Sequence, residues 1–137
     1  MNNHQIGARH ELIAASFFIG NGWEVYMPLM TQSRADFVIA KGSRTLKVQV
    51  KTVTKNRVKK FIYKQTRLLG NFNTPYKLDD FDLLVAVDPD GGAYIVRHSE
   101  IVGRSSLCFG SSNPNPSQSN RGYDPTQWFV PRRKFNG

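Results

Sequence analysis

Residues 35–53, "ADFVIAKGSRTLKVQVKTV", constrain the fold more than any other stretch of the chain. Two runs with strand character, 35–40 and 45–53, flank the turn 41–44. Gly42-Ser43 suits a two-residue hairpin loop with glycine at its first central position. Such a loop fixes register, because a slip of one residue would turn every side chain to the opposite face. With 42 and 43 central, residue 40 faces 45, 38 faces 47 and 36 faces 49. Asp36 therefore lies across from Gln49, and paired residues carry their Cβ atoms on one face about 4.5–5.5 Å apart. Lys51 lies two residues beyond Gln49 and shares that face. Val48 and Val50 point the other way, toward apolar cover.

Taken singly, Asp36 is an ordinary turn residue, and Gln49 and Lys51 are a solvated strand face. Together they form a carboxylate, an amide and an ammonium group at one place. That trio suits metal-assisted phosphodiester hydrolysis. Asp36 offers a hard oxygen to Mg²⁺, Gln49 a neutral oxygen to the ion or its waters, and Lys51 a positive charge for the developing phosphorane. A second acid is available in Glu11, embedded in the otherwise apolar "HELIAASFF".

The surrounding pattern predicts a helix over 5–20, in which Ile6, His10, Ile13 and Phe17 beside Leu12, Ser16 and Ile19 make a broad apolar band. Asn21 and Gly22 stop it. Strands follow at 23–27, 35–40, 45–53, 81–87 and 93–96. The continuous apolar run "FDLLVAV" suits a sheet centre. Ser99 is expected to cap a short helical turn. "WFVP" (128–131) is expected to pin the chain end to the core. The order of elements predicts an α+β fold with a mixed β-sheet and an N-terminal helix, in a single domain over 1–137. Its core covers 5–54 and 80–102. Residues 55–79 are a basic insertion, and 111–137 are a long Ser/Asn/Pro-rich loop with a basic tail.

Charge indicates the partner. The net charge is +9, and residues 51–70 alone carry seven Lys or Arg and no acid. A surplus so concentrated reads as a patch for a polyanion, and nucleic acid is the first choice. Lys55, Arg57, Lys59, Lys60, Lys64, Gln65 and Arg67 are interleaved with Val58, Phe61, Ile62 and Tyr63. This suits an extended ribbon that packs on one side and contacts DNA on the other. No run reaches the roughly 18 apolar residues of a membrane span, and the polar start is unlike a signal peptide. The one cysteine, Cys108, rules out an internal disulfide, and a zinc or iron–sulfur site held by several cysteines. It reads as a small buried hydrophobe in a cytoplasmic protein. His4, His10 and His98 lack ligand spacing, and His10 reads as a helix-face residue. Asp79 or Asp80 reads as a turn cap, and Asp82 as facing solvent or a basic partner.

The segments "GARHELIAASFFIGNGWEVYMP", "SRADFVIA" and "LKVQVKT" resemble the PD-(D/E)XK nuclease superfamily. "FDLLVAV" and "AYIV" resemble its closing strands. The resemblance implies a restriction-endonuclease-like core. Glu11, Asp36, Gln49 and Lys51 take the catalytic positions, and Glu11, Asp36 and the Val50 carbonyl the metal positions, with Mg²⁺ as cofactor and Mn²⁺ as its substitute. The sequence departs from the family pattern twice. Ala35 stands where the family has proline. Gln49 replaces the usual acid, which removes one negative charge from the metal site. Gln at this position also occurs in relatives among small bacterial group I intron homing endonucleases, which this chain resembles in length and layout. The expectation is therefore an Mg²⁺-dependent site-specific endonuclease of double-stranded DNA acting as a homo-oligomer, dimer or tetramer. The alternatives are a Holliday-junction resolvase or repair nuclease, and a DNA-binding module that lost its chemistry.

Overall fold

The computed structural model describes residues 1–30, 33–53, 78–87, 89 and 91–101, together with strand backbone at 57–58, 107–108 and 129–130. Helix α1 spans Asn3–Gly20, two residues longer at its start than the apolar period predicts. The extra turn comes from a capping box. Gln5 N–H donates to Asn2 Oδ1, and Asn2 N–H donates to Gln5 Oε1, each at 2.9 Å, satisfying donors that a bare helix start leaves open. At the far end Gly22 N–H donates to the Ile19 carbonyl and Trp23 N–H to that of Phe18, both at 3.0 Å. Gly22 permits this closure by adopting φ 88, a conformation costly for residues with a Cβ.

Among the described residues eight strands follow: β1 Glu24–Tyr26, β2 Phe37–Lys41, β3 Arg44–Thr52, β4 Arg57–Val58, β5 Leu83–Val87, β6 Ala93–Arg97, β7 Leu107–Cys108 and β8 Phe129–Val130. Six of them form one mixed sheet in the order β1-β2-β3-β5-β6-β8, and β4 pairs with β7. The β3–β5 pair is parallel and its neighbours are antiparallel. The fold is thus α+β, as expected. The hairpin has the register that its turn dictates, Lys41 facing Arg44 and Phe37 facing Val48, with Gly42 at φ 62.

α1 packs on one sheet face against β1, β3 and β5. Phe18, Phe37, Ile39, Val48, Leu83 and Val85 lie between them, fully or almost fully buried. Each such side chain stabilises the fold by roughly 1.5–3 kcal/mol. All five residues of β5 are buried, which accounts for its unbroken apolar sequence. The hairpin tip is fastened to the helix end: Lys41 Nζ donates to the Asn21 carbonyl at 2.9 Å. Lys41 and Arg44 also stand 5.6 and 6.0 Å from the Trp23 ring centroid, within cation–π range.

Three local expectations need correction. The turn after β6 is a 3₁₀ turn, His98–Glu100, with Arg97 at its cap position. Ser99 lies inside it, and Glu100 Oε1 accepts from Arg97 N–H. Asp82 is exposed but is not merely solvated. Its Oδ2 accepts the Lys47 N–H at 2.8 Å, and its own N–H donates to the Lys47 carbonyl at 2.8 Å. Asp82 thereby locks the start of the parallel β3–β5 pair. β1 and β2 are shorter than expected, because Trp23 packs into the core rather than extending β1, and the β2 ladder starts only at Phe37.

Candidate active site

β3 supplies Gln49, Val50 and Lys51, and the chain just before β2 supplies Asp36. Asp36 does not pair with Gln49 as the turn register predicts: the ladder stops at Phe37 facing Val48, and Asp36 N–H donates to that same Val48 carbonyl at 2.8 Å, so two residues oppose one, as in a bulge. Its side chain then turns back. Val50 N–H donates to Asp36 Oδ2 at 2.7 Å, so a backbone donor of β3 holds the carboxylate at the strand edge.

α1 brings Glu11 to the same point. The Glu11 and Asp36 carboxyl groups are close enough to interact directly. Burial, then the hydrogen bond and charge of Asp36, push the Glu11 carboxyl up to about 7. Burial and a neighbouring carboxyl group both favour the protonated form of Glu11. The preceding residue anchors this part of the helix: His10 Nδ1 lies 2.9 Å from Thr52 Oγ1. His10 is 2% exposed, a correction to its reading as a helix-face residue. Its place in the apolar band with Ile6, Ile13 and Phe17 was the signal of burial, and the sequence offered none for its partner Thr52.

These residues border one cavity of about 390 Å³, also lined by Asn3, His4, Gly7 and Ala8 from the first turns of α1. Glu11, Asp36, Gln49, Val50 and Lys51 all contribute to its wall. Gln49 is 7% exposed, and among the described residues its amide has no hydrogen-bond partner. A buried amide without a partner costs free energy unless something else fills its needs.

The donor set fits a hard divalent cation. Two neighbouring carboxyl groups, one raised to about 7, together with an amide oxygen unsatisfied among the described residues, offer oxygen ligands whose repulsion a cation would relieve. Among the described residues no group of three or more His, Cys, Asp and Glu gathers anywhere.

The proposed DNA contacts Lys55, Lys59, Lys60, Lys64, Gln65 and Arg67 lie outside the described residues. Arg57 is described only by its backbone pairing with Cys108, and the Cys108 side chain also lies outside. At the chain end, Phe129 and Val130 pair with Tyr94 and Ala93, while Trp128 and Pro131 lie outside. No helix among the described residues is long and apolar enough to cross a membrane.

Residues 1–108 match the family model described as PD-(D/E)XK endonuclease. Protein 5.3 of Escherichia phage T7 is 40% identical over 111 residues, covering 80% of this chain and 92% of that protein. Among solved structures, the bacterial homing endonuclease I-Ssp6803I aligns with a TM-score of 0.74 over 94% of this chain and 89% of its own. At 20% identity this is a likeness of fold.

Proposed function

The chain belongs to the PD-(D/E)XK endonuclease family, and from that premise we propose that it is an Mg²⁺-dependent, site-specific endonuclease of double-stranded DNA that acts in the cytoplasm as an intron homing enzyme. One observation carries the reading: the Glu11–Asp36 acid pair and the Gln49 amide, which has no partner among the described residues, border the same cavity as Lys51. The fold likeness to a bacterial homing endonuclease supports the homing part.

In this mechanism Asp36 would hold the metal directly, Glu11 would do so directly or through water, and the Val50 carbonyl would supply a further oxygen. Gln49 orients the water shell. A bound Mg²⁺ supplies polarisation of the phosphoryl oxygen and a lowered pKa for coordinated water. Lys51 holds the attacking water in line and stabilises the charge that builds on the phosphate as the bond to the leaving sugar oxygen breaks. Lys55, Arg57, Lys59, Lys60, Lys64, Gln65 and Arg67, in the basic insertion 55–79, hold the duplex. One such site cuts one strand, so a double-strand break calls for a homo-oligomer and a target of matching symmetry.

The test is digestion of a randomised duplex pool with purified protein and Mg²⁺ or Mn²⁺, sequencing the ends, beside a synthetic four-way junction. Cuts at one recurrent duplex site are expected. Preferential cutting of the junction would make the protein a resolvase. Salt-sensitive binding without cutting would make it a DNA-binding module.

A further inference from the structure

Gly7 sits inside α1, one turn before Glu11. Apart from proline, glycine is the least favourable residue for a helix interior. Gly22, Gly42 and Gly91 have positive φ, and Gly20 is the last residue of the helix. Gly7 has neither reason to be glycine. Nor is it excluding a clash: beyond its neighbours and the adjoining helix backbone, no atom of the described residues lies within 4 Å of where its Cβ would stand. Among the described residues, the space that this glycine keeps clear stays open.

That space belongs to the active-site cavity, whose wall includes Asn3, Gly7 and Glu11 at successive turns of one helix face. The same cavity holds Gln49, more than nine-tenths buried and without a hydrogen-bond partner among the described residues, which points to a ligand from outside the chain. Asn3 and His4 also border it at the start of α1, the positive end of the helix and a favourable place for an anion. From Asn3 to Glu11 the helix rises about 12 Å.

We propose that the strand being cut crosses α1 at Gly7, its sugar–phosphate backbone running from the first turn of the helix to the acid pair. This inference rests on the endonuclease reading and adds the path of the substrate. A Cβ at residue 7 would lift the strand by about the width of a methyl group, and a displacement of about 1 Å at a reacting centre can cost on the order of 10²-fold in rate.

The experiment uses the full chain with Gly7→Ala, Gly7→Leu and, as control, Gly20→Ala. The readouts are Tm, Mn²⁺ affinity, cleavage of supercoiled plasmid with Mg²⁺, and binding of a randomised duplex pool with Ca²⁺. For Gly7→Ala the Tm should rise by about 3 °C and Mn²⁺ affinity should stay unchanged, while cleavage falls roughly 10- to 100-fold. Gly7→Leu should lose more and bind the duplex more weakly, and Gly20→Ala should cut like the wild type. Unchanged cleavage in both Gly7 variants overturns the proposal. So does a lowered Tm in Gly7→Ala, since the glycine would then be structural. If the wild type binds duplex but cuts none, the nuclease reading fails separately. Weakened binding by Gly7→Leu then still supports the path, and unchanged binding overturns it.

Discussion

The Val50 N–H donates to Asp36 Oδ2 at 2.7 Å, so the carboxylate proposed to bind the metal also satisfies a backbone donor of β3. These two roles separate by substitution. Asp36→Asn keeps a carbonyl oxygen for the amide and should preserve Tm while reducing cleavage by at least about 10²-fold. Asp36→Ala leaves the amide without its acceptor and should also lower stability by about 1–3 kcal/mol. Thermal denaturation alongside plasmid nicking checks both. Equal stability loss in the two variants would contradict this division.

Glu11 makes stability and metal binding depend on pH in opposite directions. Its carboxyl is raised from 4.5 to about 7 in the folded chain. The folded state therefore favours the protonated form. The stabilisation is complete below about pH 4.5 and is lost as pH rises through about 7. A cation requires the deprotonated form, so affinity for Mg²⁺ or Mn²⁺ should climb with pH and level off above about 7. Glu11→Gln should remove this component from metal-free Tm against pH and weaken metal binding. Metal-free melts from about pH 5 to pH 9, with and without the substitution, provide the measurement.

Gln49→Glu would restore the acid of the family pattern. The added charge should tighten Mn²⁺ binding by about an order of magnitude, read by calorimetry. With three acids around one cavity, the metal-free protein should become less stable at alkaline pH. Unchanged metal affinity would place residue 49 outside the coordination shell.

Lys51 and the basic insertion should fail in different ways. Lys51→Ala should reduce cleavage by about 10²–10³-fold and leave duplex binding nearly intact. Lys59→Ala combined with Lys60→Ala should weaken binding and reduce the slope of log K against log salt by roughly 2. Cleavage rates at saturating DNA and salt titrations of binding separate the two, and equal binding losses would contradict the assigned roles.

What this chain specifies locally was legible without coordinates. A two-residue loop at Gly42-Ser43 determines which residues of β2 and β3 face each other, because its geometry and the pleat leave one register. The unbroken apolar run of β5 marks a strand buried on both faces. Tertiary packing decided the rest. The Glu11–Asp36 contact joins residues far apart in sequence and depends on how α1 lies against the hairpin, pinned at one end by Lys41 on the Asn21 carbonyl and at the other by His10 and Thr52. Periodicity includes His10 in an apolar band but cannot name the hydroxyl it meets, nor find the Lys47 amide that Asp82 satisfies. Side-chain period and turn chemistry act over a few residues. The raised carboxyl of Glu11 and the cavity it shares with Asp36 and Gln49 exist only once distant segments bring their desolvated groups together.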